Sequence, residues 1–402
     1  MVNVIGLGYI GLPTAIMLAS HGVKVVGTNR DPDKLKRLRA RELTFEEKGL
    51  NAAFSEAVKG GIEFSPVCVK ADFYIISVQT PYDSDTKQVD MSYVNAAVGD
   101  VLELAPQGAV IVIESTVAPG SIDRYVRPFV KERGFVIGRD IHLAHAPERI
   151  IPGNMIYELV HNNRTVGADS AEIGARVKAL YGTFCQGDIV VTDIRTAEMT
   201  KVIENTFRCV NIAFANELAK LCRHQGLDVY EVIKICNMHP RVNILNPGPG
   251  VGGHCIPIDP WFLVGDEPEL TKLIRHSLEV NEAMPDYVFE RIKSIAAENK
   301  ISDLSRVGLY GLTFKENVDD CRESPTLQLL RKTELPLKVY DPYVRTELGK
   351  NQYRDLQSFL DEVDMVVIMV GHDEIKNRQE LLAGKIILDT RKVCTLPGTY
   401  RL

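Results

Sequence analysis

The chain has 402 residues, enough for two or three domains with ample core, and its 45% hydrophobic and 25% charged content is that of an ordinary globular protein. A net charge of −6 gives no bulk electrostatic case for nucleic acid or an anionic membrane, so an anionic ligand needs a local basic pocket. No apolar run approaches the roughly 18 residues that span a bilayer, and a first strand predicted at Val2 leaves no room for a signal peptide, so a cytoplasmic location is expected.

The first part of the chain alternates strand and helix. Val2–Ile5, Lys24–Gly27, Phe73–Val78 and Ala109–Glu114 read as short apolar strands, with His142–His145 a further strand and Asn163–Gly167 another candidate. Tyr9–Ser20 and Asp31–Arg41 read as helices between the first of them, which predicts a parallel sheet with helices on both faces. Thr196–Gln225 is a long helical stretch with few breakers, followed by helices over Val229–Cys236 and Leu270–Ala283. A helix of that length between two sheet domains reads as a spine or dimer interface. The last part repeats the first, with strands over Arg306–Tyr310, Leu337–Tyr340, Met365–Val370 and Lys385–Leu388. Tyr340-Asp341-Pro342 echoes Asn29-Arg30-Asp31-Pro32, and Met365–Val370 echoes Phe73–Val78. The expected fold is α/β: two Rossmann-like parallel-sheet domains (1–194 and 300–402) joined by a central all-helical dimerisation domain (195–299), with a substrate cleft between the halves.

Gly6-x-Gly8-x-x-Gly11 follows the first strand and opens a helix, the context a dinucleotide-binding turn requires. The first glycine turns the chain, the second lets a pyrophosphate approach the backbone, and the third allows close helix–strand packing. After the second strand, where an acid is expected for the adenosine ribose, the chain has Asn29, Arg30 and Asp31. Asn29 still bonds a ribose, whereas Arg30 suits a 2′-phosphate; NAD is the expected cofactor, with NADP left open. Thr80 and Thr116 follow the third and fourth strands, either as cofactor contacts or as turn hydroxyls that satisfy local backbone.

The eight cysteines, Cys68, Cys185, Cys209, Cys222, Cys236, Cys255, Cys321 and Cys394, form no Cys-x-x-Cys pair, which reads as reduced thiols without a disulfide framework or a zinc site; no metal is expected. Cys255 alone lies in a glycine-rich loop, Gly248-Pro249-Gly250-Val251-Gly252-Gly253-His254-Cys255, with Asp259 four residues on. It is either an inert thiol or, beside a dinucleotide fingerprint, a nucleophile. Lys201, Asn205 and Arg208 share one face of the long helix, as an oxyanion clamp or as a solvated polar stripe. Glu148 after an apolar strand suits a base or a water-positioning carboxylate. Arg149, Arg208 and Arg241 supply the local positive charge that a diphosphate needs, although each alone reads as a surface ion-pair member.

These motifs together resemble the UDP-glucose/GDP-mannose dehydrogenase family over essentially the whole chain. The matching pieces are Gly6-Leu7-Gly8-Tyr9-Ile10-Gly11-Leu12-Pro13, Glu114-Ser115-Thr116, Pro147-Glu148-Arg149, Lys201 with Asn205, Gly252-Gly253-His254-Cys255 with Asp259, and Gly311–Lys315 through Arg322-Glu323-Ser324-Pro325. Within the family, Arg195–Lys201, Asn211–Leu218 and His239-Pro240-Arg241-Val242-Asn243-Ile244-Leu245 are similar to the branch acting on UDP-N-acetyl-D-mannosamine. The UDP-glucose branch carries Phe-Leu-x-Glu-Gly after its Pro-Glu pair, where this chain has Arg149-Ile150-Ile151-Pro152-Gly153. The resemblance implies a four-electron, NAD-dependent oxidation of the sugar C6 hydroxyl to an acid, for glycan precursor synthesis. Its alternatives are the same chemistry on UDP-N-acetylglucosamine or UDP-glucose, a two-electron β-hydroxyacid-type dehydrogenase, and a non-catalytic nucleotide-sugar sensor.

By that resemblance Cys255 is the nucleophile, Lys201 and Asn205 stabilise charge on the substrate oxygen, and Asp259 and Glu148 serve the base and water-activating steps. Arg149, Ile150, Lys201, Asn205, Arg208, His239, Arg241, Gly252, Phe314 and Lys315 would hold the UDP-sugar. Gly6, Gly8, Tyr9, Ile10, Gly11, Asn29, Thr80, Thr116 and Arg322 would meet the cofactor. A homodimer through the central helices is expected, with a higher homo-oligomer as the variant of that reading.

Overall fold

The computed structural model describes residues 1–83, 85–333 and 337–402, and the chain divides into two compact units, Met1–Glu204 and Asn205–Leu402. In the first, short apolar runs become strands because both of their faces are covered, as parallel sheets demand. These are β1 (Val2–Ile5), β2 (Val25–Thr28), β3 (Glu63–Ser65), β4 (Phe73–Ile76), β5 (Ala109–Ile113), β6 (Ile141–His145), β7 (Arg164–Ala168) and β8 (Ile189–Thr192), in spatial order β3-β2-β1-β4-β5-β6-β7-β8. All pairs are parallel except β6 with β7, which meet antiparallel at Ala144–Ala168 and His145–Gly167. The crossovers are α1 (Gly11–Ser20), α2 (Pro32–Arg39), α3 (Leu50–Lys59), α4 (Ser92–Leu102), α5 (Arg127–Glu132), α6 (Met155–His161) and α7 (Ala171–Tyr181). Leu12, Ile16, Leu18, Val4, Ile75 and Val112 belong to the core between α1 and the sheet.

The boundary between the units falls inside α8 (Ile194–His224), 31 residues long and so roughly 46 Å at 1.5 Å per residue. The second unit continues with α9 (Val229–Cys236), α10 (Asp259–Asp266), α11 (Lys272–Glu282) and α12 (Met284–Glu298). It then builds a sheet from β9 (Val307–Tyr310), β10 (Lys338–Tyr340), β11 (Gln352–Tyr353), β12 (Met365–Ile368), β13 (Ile386–Asp389) and β14 (Tyr400–Arg401). Helices α13 (Pro325–Lys332), α14 (Leu356–Asp361) and α15 (Asp373–Asn377) complete it. The spatial order β11-β10-β9-β12-β13-β14 reproduces the order β3-β2-β1-β4-β5-β6 of the first sheet, so the echo in the sequence is a topological repeat. In each sheet the strand order reverses beside its first strand, and the crevice at the carboxyl ends there is where such folds bind ligands.

The structure moves several predicted edges. Helix α1 begins at Gly11 rather than Tyr9, because Gly8, Tyr9 and Ile10 form the turn. The predicted helix over Leu270–Ala283 is shorter, and α10 occupies part of the presumed loop, since Pro260 needs no amide partner in a first helical turn. Strands β3, β11 and β14 are two or three residues long with no apolar run to mark them, whereas β8, Ile-Val-Val-Thr, is β-branched throughout and is legible although it is not among the predicted strands. Among the described residues no helix is long and apolar enough to cross a membrane.

Candidate active site

The three fingerprint glycines do different things. Gly6 has φ +94°, and a Cβ there would stand 2.5 Å from the Ser77 carbonyl oxygen; at Gly11 it would stand 2.0 Å from the Gly6 oxygen. Both positions therefore exclude any side chain by collision with backbone. At Gly8 a Cβ would meet nothing within 4 Å, so this glycine leaves open space beside the first turn of α1, which has no side-chain cap. The space continues as a cavity of about 540 Å³ at the carboxyl ends of β1–β4, lined among others by Gly6, Gly8, Asn29, Arg30, Cys68 and Asp100. Open backbone at an uncapped helix N-terminus fits a pyrophosphate. Arg30 is paired with Asp100 at 2.7 Å, and Asp100 and Glu103 both line the wall, which suits NAD's ribose hydroxyls rather than a 2′-phosphate. Asn29 accepts the Asp31 amide at 2.8 Å, and the Thr80 hydroxyl donates to the Thr116 carbonyl at 2.8 Å. Thr80 thereby ties together the loops after β4 and β5. Tyr9 packs on Phe45 with ring centroids 4.5 Å apart, and Ile10 is the N-cap of α1.

Beneath this turn lies a buried polar relay. Glu114, 1% exposed, accepts from the Thr14 hydroxyl at 3.2 and 3.3 Å, the Ser77 hydroxyl at 3.0 Å and the Tyr181 phenol at 3.0 Å. Arg164 lies over the Tyr181 ring, 4.6 Å from its centroid, and forms a buried ion pair with Glu148. Burial first, and the Glu148 carboxylate second, push the Glu114 carboxyl up to about 7, against the pull of Arg164. Folded Glu114 therefore holds a proton that the unfolded chain releases, so its stability contribution falls as pH rises from about 4.5 to about 7. His145, which burial pushes down to about 4, acts in the opposite sense. The readout is thus the difference between proteins: Glu114→Gln should gain stability relative to the parent between pH 5 and 8, on the order of 3 kcal/mol. Parallel pH profiles in chemical denaturation would refute this.

In the second unit the glycine loop is pressed against the segment after β9. A Cβ on Gly252 would stand 2.6 Å from the Glu323 carbonyl oxygen and 2.7 Å from the Phe314 Cβ. The Gly253 amide donates to the Arg322 carbonyl at 2.9 Å, and the Arg322 guanidinium is held by Asp320 at 2.6–3.0 Å. Cys255 is the exposed cysteine of the eight. Its carbonyl accepts the amides of Ile258 at 3.1 Å and Asp259 at 2.8 Å, so the thiol sits on the turn that enters α10. Asp259, 3% exposed, accepts the Asn205 amide at 2.6 Å. Burial pushes Cys68 and Cys209 up to about 11 and Cys321 to about 12, which leaves these thiols protonated and inert at neutral pH.

The remaining predicted residues fall into distinct settings. Lys201 and Asn205, one turn apart on α8, are 7% and 6% exposed, whereas Arg208 is exposed. Among the described residues no carboxylate lies within ion-pair distance of the Lys201 ammonium, so this nearly buried cation has no counter-charge. Glu148 is engaged by Arg164 and by the Arg149 amide at 2.7 Å. Arg149 pairs with Glu204 at 3.0 Å and donates to the Thr165 hydroxyl at 2.6 Å, and Ile150 packs on the first unit's core. His239 and Arg241 are exposed on the turn after α9, where the Arg241 amide donates to His239 Nδ1 at 3.3 Å. Lys315 is half-buried, and its carbonyl accepts the Thr313 hydroxyl at 2.7 Å.

Sequence reasoning assigned no role to Glu114, Arg164, Asn216 or Asn281. Asn216, fully buried, accepts the Gly248 amide at 2.9 Å and donates to Asn281 at 2.9 Å; Asn281 donates to the Cys209 carbonyl at 3.0 Å. This amide chain anchors the start of the glycine loop to α8 and α11. The signal available was a polar residue on an otherwise apolar helix face, such as Asn216 with Ala213 and Ala219 three positions to either side.

Comparison with known proteins gives this geometry a family. Residues 1–185 match the NAD binding domain, 195–283 the central domain and 308–396 the UDP binding domain of the UDP-glucose/GDP-mannose dehydrogenase family. The chain is 41% identical over 404 residues to a UDP-N-acetyl-D-mannosamine dehydrogenase of Methanocaldococcus jannaschii, covering 97% of this chain and 92% of that protein. Among solved structures it resembles the UDP-N-acetyl-mannosamine dehydrogenase of Staphylococcus aureus, with 39% identity, a TM-score of 0.89 and coverage of 100% and 98%. It also resembles a UDP-D-ManNAc dehydrogenase of Pyrococcus horikoshii, with 36% identity, a TM-score of 0.92 and coverage of 100% and 98%. With its three domains matched in order along one chain, the protein belongs to the UDP-glucose/GDP-mannose dehydrogenase family and carries that family's NAD-binding domain.

Proposed function

We propose that the chain oxidises the C6 hydroxyl of UDP-N-acetyl-D-mannosamine to the carboxylate in two successive two-electron steps. The observation that carries this reading is the exposed Cys255 thiol on a glycine loop, one turn from an Asp259 carboxylate held by Asn205. The dinucleotide, when bound, supplies the electron-accepting chemistry. The chain's own residues do the rest. Asp259 and Glu148 serve proton transfer and water activation, and Lys201 and Asn205 steady negative charge on the sugar oxygen. Cys255 attacks the C6 aldehyde to give a thiohemiacetal; its oxidation leaves a thioester, which water hydrolyses to the acid and the free thiol. A bare two-electron oxidation of an alcohol needs no thiol, so the exposed cysteine favours the four-electron course.

Arg149, Ile150, Arg208, His239, Arg241, Gly252, Phe314 and Lys315 are assigned to the UDP-sugar, and Thr80, Thr116 and Arg322 to the cofactor. The test is stoichiometry across UDP-sugars. UDP-N-acetylmannosamine should release two NADH per sugar and be turned over at least tenfold faster than the N-acetylglucosamine, N-acetylgalactosamine and glucose compounds. One NADH per sugar would point to a two-electron dehydrogenase, and faster turnover of UDP-glucose would sink the substrate assignment.

The same proposal includes a homodimer through α8. Phe207, Phe214 and Leu221 recur every seven residues along that helix and are 63%, 49% and 51% exposed, a continuous apolar stripe at coiled-coil spacing. Phe214→Glu should convert the dimer to monomer in sedimentation; an unchanged mass would remove α8 from the interface.

A further inference from the structure

A cluster of positive charge with no paired carboxylate among the described residues lies in the second unit, on the C-terminal part of α8 and on α12. Lys220 and Arg223 sit one turn apart on α8, and Tyr287 and Arg291 one turn apart on α12. The Lys220 ammonium stands 5.3 Å from the Tyr287 ring centroid. Arg291 is 4% exposed, and its only hydrogen bond among the described residues is a long one, from Nη2 to the Arg401 carbonyl at 3.3 Å. Two donors here are buried with no hydrogen-bond partner among the described residues: Arg291 Nε and the Tyr287 hydroxyl.

A buried guanidinium is normally paired, because leaving an ion desolvated without a partner costs several kcal/mol. None of Lys220, Arg223 and Arg291 has a carboxylate within ion-pair distance among the described residues. Glu217 and Glu298 are close enough only to be felt through space. Burial first, and the neighbouring Arg223 charge second, push Arg291 down to about 10. In a chain of net charge −6, Lys220, Arg223 and Arg291 all neighbour the Tyr287 side chain, and with two unsatisfied donors they are complementary to an anion that the described residues do not supply.

We propose that Lys220, Arg223, Tyr287 and Arg291 form a binding site for a phosphate dianion. A tetrahedral dianion matches three positive charges and a phenol donor better than a single carboxylate does. The ligand is either free phosphate or the terminal group of a phosphate monoester, and the site, built from α8 and α12, shares no residue with the glycine loop or the dinucleotide turn.

The experiment titrates inorganic phosphate, and in a second arm glucose 1-phosphate, into the full-length protein held with saturating NAD and UDP. Those ligands cover the family's own phosphate-binding sites. Saturable binding is expected, with a rise in melting temperature. Tyr287→Phe and the exposed-site variant Arg223→Ala should each weaken it about tenfold. Arg291→Met should abolish the response and, by removing an uncompensated buried charge, melt higher than the parent without phosphate. Stronger binding of the monoester identifies a metabolite, and equal binding identifies phosphate itself. Absence of saturable binding, or identical titrations for parent and Arg223→Ala, would overturn the proposal. So would loss of a dimer in Arg223→Glu together with no phosphate response in the parent, since a second copy's acid would then be the counter-ion.

Discussion

Cys255→Ser is expected to reduce acid formation by about 10³-fold or more and to cut the NADH yield from two per sugar to at most one. A serine hydroxyl at this position lacks the thiolate's nucleophilicity, and an ester formed through it would not pass through the thioester that water cleaves. The loop should be untouched, because its shape rests on backbone contacts: Gly252 against Glu323, Gly253 to Arg322, and the Cys255 carbonyl to Ile258 and Asp259. Parent-like melting with lost acid therefore assigns the defect to chemistry. Full conversion to the acid with undiminished NADH would refute a covalent step at this residue.

Lys201→Met has the second largest expected effect. Lys201 is 7% exposed and has no carboxylate partner among the described residues, so folding gains little from its charge. A methionine of similar length should leave stability unchanged or raise it, since burying an unpaired ion is costly. If the ammonium meets negative charge that develops on the sugar oxygen, kcat should fall about 10²- to 10³-fold, or roughly 3–4 kcal/mol. KM should move much less, because the interaction strengthens only as charge develops. A kcat within about threefold of the parent would remove Lys201 from the catalytic set, and a large loss of stability would reclassify it as structural.

These expectations rest on two kinds of information. The order of the elements, the doubled sheet, the dinucleotide turn and the singular position of Cys255 are carried by local patterns: apolar runs of four or five residues, a glycine spacing, and a thiol among glycines. Local patterns are legible because the chain within a turn or two decides them. The repeat of Phe73–Ile76 in Met365–Ile368 is one such pattern, and both strands occupy the same place in their sheets.

What only the tertiary structure decided are contacts between residues far apart in sequence. The Asn205 amide is bonded to an acid 54 positions away, and Glu114 to a tyrosine 67 positions away. The sequence offers Arg149 and Glu148 as charged residues, and only the structure shows which charges stand beside them, Glu204 and Arg164. The three glycines of the turn look equivalent in the sequence; Gly6 and Gly11 are glycines because backbone lies where a Cβ would be, whereas no contact within the described residues demands glycine at Gly8, whose open side lines the cavity. The physical reason is common to all of these. A residue type and its spacing fix which groups a segment offers, whereas desolvation and the pairing of charges depend on what other segments bring to the same place.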